Sequence, residues 1–302
     1  MQSPHSLPDT DTPANTVWQQ QLADWFQTSC RLEVLSPKPG NVNPGHAFAD
    51  ATVEDFLRSA AAAAPCIAQA PDQTLGQTLL NAVKATRSVV THNTNLGILL
   101  LIAPLASVPP RQSLIDGIAQ VLQATTLDDS RLVYEAIRLA APGGLGKASD
   151  QDVTSPPTLP LIACMQLAAD RDLIAAEYSN GFQRVLLQGL NWLQQAAQVS
   201  ADQGEQITWL ALQLLADAPD SLILRKCGPE IAATAQTLAR QTLADGWPNP
   251  EARSSFRQLD QFLRADGHRR NPGTTADFVA AILFAGFREA WRTRHSHSAR
   301  QT

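Results

Sequence analysis

The sequence predicts an all-α fold, a single-domain globular bundle of roughly eleven helices whose loops carry the chemistry. Three observations lead there. Alanine, leucine and glutamine dominate, alternation of β-branched residues is scarce, and apolar residues recur near a period of 3.6 rather than 2. With 302 residues, 44% of them apolar and 17% charged, the chain has the material for a sizeable core. A chain of this length buries about three quarters of its unfolded surface.

The elements follow in order. Residues 1–15 read as a flexible polar lead, without the basic start and apolar run of a signal peptide. Trp18, Leu22, Trp25, Phe26 and Cys30 form the first apolar stripe. Phe56, Leu57, Ala60 and Ala64 form the second, after a capping box from Thr52 to Asp55. Leu75, Leu79, Leu80 and Val83 make the third. The same periodicity predicts helices over 114–123, 130–140, 161–169, 173–197, 206–216, 231–243, 254–264 and 275–292. The helical domain is expected over 16–295, with 296–302 as a tail. The most apolar stretch, from Leu96 to Val108, is interrupted by Pro104. It is shorter than the roughly 20 residues of a membrane span, so no membrane association is expected.

Charge and cysteine usage narrow the class. Twenty-three basic against 28 acidic residues give a net charge of −5, which argues against coating nucleic acid by bulk electrostatics. Cys30, Cys66, Cys164 and Cys227 are widely spaced, without a CxxC pair. They read as free thiols in a reducing cytoplasm rather than as a disulfide frame or zinc site.

Glycine and proline gather in a few loops, at 36–46, 142–160, 227–229, 245–250 and 266–273. Loops of this kind on a helical scaffold are where a ligand is met. In the first, Lys38 stands between two prolines, Gly40 and Gly45 let the backbone approach closely, and Asn41, His46 and Asp50 follow. Lys38 is either a point charge for a phosphate or a solvated side chain on a rigid turn. His46 is either an acid or a structural histidine, and Asp50 either a functional carboxylate or a surface acid. Thr91 to Asn95 places five hydrogen-bonding side chains ahead of Leu96 and Gly97. Helix capping needs one or two of them, and the rest suit a sugar or base.

Pro142 to Lys147 is glycine-rich, with Gly144 and Gly146 before Lys147 and with Asp150 and Asp152 beyond. It lacks the spacing of a P-loop, yet a lysine with two carboxylates suits a phosphate and its magnesium. Arg225 and Lys226 adjoin Gly228, where cations also complement a helix end. Asn271 to Asp277 begins another helix. Thr274 and Asp277 have capping-box spacing, and Arg269 and Arg270 just ahead would complete an anion site.

Taken together, Lys38-Pro39-Gly40-Asn41-Val42, Asn93-Thr94-Asn95-Leu96-Gly97, Gly143-Gly144-Leu145-Gly146 with Asp152-Val153, Arg225-Lys226-Cys227-Gly228 and Asn271 to Asp277 occur in a telling order. That order resembles the triphosphoribosyl-dephospho-CoA synthase family, from about Glu33 to Phe287. Asn41 and Asn43 stand where the lyase-associated branch carries an acid, and Gly-Gly-Leu-Gly with Asp152 replaces its Arg-Gly-Glu stretch. The pattern is more similar to the divergent branch of archaea and some bacteria.

The resemblance implies an all-α fold and a glycosyl transfer. The ribose 2′-hydroxyl of 3′-dephospho-CoA attacks C1 of the ribose of ATP, adenine leaves, and the triphosphate stays on the transferred sugar. The product is a prosthetic-group precursor, loaded onto an acyl carrier protein by a separate enzyme. Such a transfer needs a base, a proton for the purine and a cationic clamp. On this resemblance Lys38, Lys147, Arg225 and Lys226 meet phosphates, and Asn93 and Asn95 meet ribose or adenine. Asp50, Asp152 or Asp277 serve as base, with Asp152 and Asp277 as Mg2+ ligands and His46 as a further acid. Gly40, Asn41, Thr94, Gly97, Gly144, Gly146, Asn271 and Gly273 complete the binding loops. The alternatives are a non-catalytic helical protein that holds a nucleotide or acyl carrier protein, and a relative with another acceptor. A homodimer is compatible with either.

Overall fold

The computed structural model describes residues 12–298, which form fourteen α-helices and no strand. The first helix begins at Thr12, inside the stretch expected as a lead. The rest of that lead, residues 1–11, and tail residues 299–302 lie outside the described residues.

Helices α2 (Val53–Ala68), α3 (Leu75–Arg87) and α14 (Gly273–Ser298) pack around α4 (Leu96–Ala106), and α1 (Thr12–Leu35) packs on α2 and α14. Periodicity does not bound α4, because it is apolar on every side. It is the centre of the core: all its residues but Gly97 are buried. Full burial of Leu99, Leu101, Ile102 and Leu105 contributes roughly 1.5–3 kcal/mol each. The remaining helices are α5 (Leu114–Gln123), α6 (Leu127–Ala140), α7 (Leu161–Gln166), α8 (Leu173–Asn180), α9 (Leu190–Val199), α10 (Gln203–Asp217), α11 (Ser221–Cys227), α12 (Pro229–Ala244) and α13 (Arg253–Arg264). A smaller second core joins α10, α11, α12 and α13 through Leu212, Ile223, Ala235 and Leu259.

Two expectations change. The helix expected over 173–197 is broken where Gly181 and Phe182 adopt positive φ of 74° and 62°. The buried Glu177 carboxylate accepts the amides of Arg184 and Val185 at 3.2 and 2.9 Å, so the chain restarts as a π-helical turn before α9. The helix end expected beside Gly228 is that of α11, a helix outside the periodic set, capped at its start by Asp220. Among the described residues no single helix is long and apolar enough to cross a membrane; α10 and α11 reach that length only together, across a 58° bend.

Candidate active site

A cavity of about 540 Å³ opens where the first turns of α4, α8 and α14 meet α11 and the loops before α2, after α6 and after α13. Helix N-termini carry partial positive charge, and two acids of the cavity, Asp172 and Asp277, sit against them. Asp172 caps α8, accepting the amides of Ile174 and Ala175 at 2.9 and 3.2 Å. Asp277, in the first turns of α14, lies against the start of α4, where a Cβ on Gly97 would stand 2.0 Å from its Oδ2. Gly97 is therefore the space that the carboxylate occupies. Glu33, from the last turns of α1, also lines this wall.

Burial pushes the Asp277 carboxyl well above the usual carboxylate range. The negative charges of Glu33, Asp220 and Asp172 push it further, and Arg225 opposes them. The Cys30 thiol is raised by burial and by the same two acids, Glu33 and Asp277.

Cations line the same cavity. Arg225 donates to Asp172 Oδ2, while its Nε is buried without a partner. Lys226 lies over Gly143 and Gly144, whose added Cβ atoms would stand 3.1 and 3.0 Å from its side chain. Its pKa is lowered by burial first and then by Arg225; Asp50, on the rim, counters this. Arg269 reaches the same rim and donates to the Lys226 carbonyl at 2.9 Å.

These parts are held in register by Asp220. Its Oδ1 accepts the amides of Leu222 and Ile223 of α11, and its Oδ2 accepts the amide and hydroxyl of Thr275 of α14 at 2.7 and 2.8 Å. Ser221 and Thr274 hydroxyls meet at 3.0 Å beside it. The carboxylate that caps this helix start thus comes from Asp220, just before α11, and Asp277, which the spacing offered as a cap, is left to the cavity.

Of the residues singled out from the sequence, Asn41, Asp50, Asn93, Thr94, Asn95, Gly97, Arg225, Lys226, Asn271, Gly273 and Asp277 line the cavity. Part of the Asn93 to Asn95 set does serve the helix. Asn93 caps α4 through the Leu96 amide, Thr94 meets the Ser59 hydroxyl, and Asn95 pairs with Thr86. Asn41 Nδ2, His92 Nε2 and His268 Nδ1 are buried in cavity residues without a protein partner. Such atoms are costly unless a ligand or water meets them.

The other expected residues are elsewhere. Lys38 is fully buried: its Nζ pairs with Glu33 Oε1 at 2.8 Å and also donates to the Glu33 carbonyl, so it is no free phosphate cation. The prolines do not hold it outward; the tight turn after α1 folds it back over the helix end. Gly40, with φ of 74°, presses its Cα on α13, where a Cβ would stand 2.5 Å from Leu263 Cβ. His46 is exposed and pairs its backbone with Asn43, as part of a turn. Gly144 packs under Lys226 rather than facing the cavity, and Arg270 turns away to stack on Phe262.

Gly146, Lys147 and Asp152 line a smaller adjoining cavity of about 140 Å³. Asp152 is occupied in shaping its own loop, accepting from the Ala148 amide and from the Thr154 amide and hydroxyl. These bonds lower its pKa to about 2. Sequence reasoning missed Glu33 and Asp172. An acid one turn beyond Cys30 in an apolar stripe, and an Asp directly before the apolar start of α8, were the available signals.

The sequence matches the model of the CitG family, ATP:dephospho-CoA triphosphoribosyl transferase, over residues 19–296. The chain belongs to the CitG family. Its activity as a nucleotide-dependent transferase, and its standing as an enzyme rather than an idle binding protein, follow from that family. A crystal structure from Archaeoglobus fulgidus, provisionally described as a triphosphoribosyl-dephospho-CoA synthase, is similar to this CitG chain. Identity is 29%, the TM-score is 0.61, and the match covers 78% of this chain and all of that one. No curated protein matches the chain.

The donor set of this CitG protein does not fit a resident metal. Asp152 and Asp277, expected to share magnesium, line different cavities, and the described residues contain no group of three or more His, Cys, Asp or Glu placed to hold an ion. Of the cavity acids, Asp172 is committed to a helix start and Glu33 to Lys38.

Proposed function

We propose that the larger cavity binds ATP beside the nucleotide half of dephospho-CoA and transfers the triphosphoribosyl group between them. The observation that carries this reading is the gathering of unlike charges in one cavity. Glu33, Asp172 and Asp277 line it together with Arg225, Lys226 and Arg269, and Arg225 pairs with Asp172. Arg225, Lys226 and Arg269 hold the triphosphate. Asn41, His92 and Asn93 supply hydrogen bonds to adenine and ribose. Magnesium enters with the triphosphate, as part of the substrate. The reaction takes place in the cytoplasm, in keeping with four free cysteines.

In the transfer, the 2′-oxygen of dephospho-CoA forms a bond to C1′ of the ATP ribose as the C1′–N9 bond to adenine breaks. The hydroxyl loses a proton and adenine gains one. Glu33, the carboxylate that Lys38 pairs, accepts the first; Asp277, kept protonated by burial and its acidic neighbours, donates the second. Two carboxyl groups in one cavity with unlike surroundings are how acid and base roles separate.

Purified protein incubated with ATP, dephospho-CoA and magnesium is expected to release free adenine, read by chromatography, only when both nucleotides are present. Nucleotide binding without adenine or a new glycoside would overturn the reading in favour of a non-catalytic binder.

A further inference from the structure

The two substrates of the proposed transfer differ in one respect that the larger cavity does not address. Both are nucleotides with phosphates, but dephospho-CoA also carries a long uncharged arm of methylenes, amides and a terminal thiol. The larger cavity has one group of cations, Arg225, Lys226 and Arg269, suited to one polyphosphate. The smaller cavity adjoins it, and Ile137, Leu145, Met165, Ala168, Asp172 and Arg225 form walls of both.

Its chemistry differs from that of its neighbour. Leu161, Val153 and Leu167 complete its apolar lining, and several of the polar groups there are engaged within the protein. The Tyr134 hydroxyl donates to the Gln151 carbonyl at 2.6 Å, Asp152 holds its own loop, and Arg171 donates to the Leu167 carbonyl. Leu145 and Leu167 are nevertheless 45% and 42% exposed, two of seven large apolar side chains so exposed among the described residues. Exposed apolar groups gathered around one small concavity mark a binding surface.

We propose that this smaller cavity seats the thiol end of the dephospho-CoA arm and so selects the acceptor over a plain nucleotide. The Arg225–Asp172 ion pair stands between the two compartments, with the nucleotide halves on one side and the arm on the other. The proposal rests on the function assigned above. Lys147, exposed at the edge, is not required by it.

Calorimetric titration of wild type and Leu167→Asp with dephospho-CoA and, separately, with ATP tests the assignment. Leu167 lines the smaller cavity and not the larger one, it is exposed enough to accept the change, and circular dichroism checks the fold. Leu167→Ala serves if the aspartate variant unfolds. Dephospho-CoA affinity is expected to fall at least about tenfold, the loss of two or three buried methylenes, with ATP affinity within about twofold of wild type. Unchanged dephospho-CoA affinity, or an equal fall for ATP, would overturn the proposal. If wild type binds dephospho-CoA in the expected pattern yet releases no adenine, the transfer reaction fails and the arm site stands. If wild type binds no dephospho-CoA, both fail.

Discussion

Replacing Lys38 by Met separates two roles that the motif around it allows. The ammonium lies 2.8 Å from Glu33 Oε1, and the two side chains are 0% and 5% exposed. At that separation and an effective dielectric near 20, the attraction is about 6 kcal/mol, most of it offset by desolvation of both groups. Removing one partner leaves the other charge buried alone, which costs about 3–5 kcal/mol. Met retains the length of the stem, so little of that cost arises from lost packing. Urea denaturation followed by circular dichroism should show Lys38→Met less stable by that amount, a large part of the 5–15 kcal/mol typical of a folded domain. The double variant Lys38→Met with Glu33→Gln should recover much of the loss, since no uncompensated charge remains. If Lys38→Met instead kept wild-type stability and only raised the KM for ATP, the buried-pair account would be refuted and a phosphate contact restored.

Asp277→Asn should lower adenine release by about a hundredfold or more, with ATP affinity retained, as removal of a proton donor does. Because the folded-state pKa of Asp277 is raised, the folded protein binds more protons than the unfolded chain between the two values. Wild-type stability should therefore fall as pH rises from the ordinary carboxylate range through the raised value, and Asp277→Asn should flatten that slope in denaturation at several pH values. Gly97→Ala would place a Cβ 2.0 Å from Asp277 Oδ2 and 2.9 Å from Ile174 Cδ1. Thermal denaturation should register a loss of about 1–3 kcal/mol, and chromatography a loss of adenine release. Asp220→Asn turns a donor toward the Thr275 amide and should cost about 2–3 kcal/mol, with a fall in kcat as α11 and α14 lose register.

The helices were legible because burial imposes a 3.6 period on them, and the stripe through Trp18, Leu22, Phe26 and Cys30 is buried as expected. Where burial is uniform the signal fails. The centre of the core, α4, has no polar face, so periodicity says nothing of its extent. The break after Asn180 was invisible for another reason: it depends on Glu177 turning back to hold two amides, a choice made by the surrounding core. In the site, Asn41, Asn93, Arg225, Lys226 and Asp277 could be picked out because polar residues beside glycine, in loops or at helix ends, have few structural uses. Glu33 and Asp172 could not, since acids within or before helices are common.

By itself the sequence determined an all-helical chain with its chemistry concentrated in a few glycine- and proline-rich loops, because periodicity and turn chemistry are local properties. Only the tertiary structure decided which charges are available to a ligand. Lys38 and Arg225 are both cations beside glycines, yet one is spent inside the protein on Glu33 and the other opens onto the cavity beside Asp172. Burial and pairing are set by helices distant in the chain. That is why Asp277 acquires its raised pKa from Glu33, Asp220 and Asp172, three acids contributed by or beside other helices.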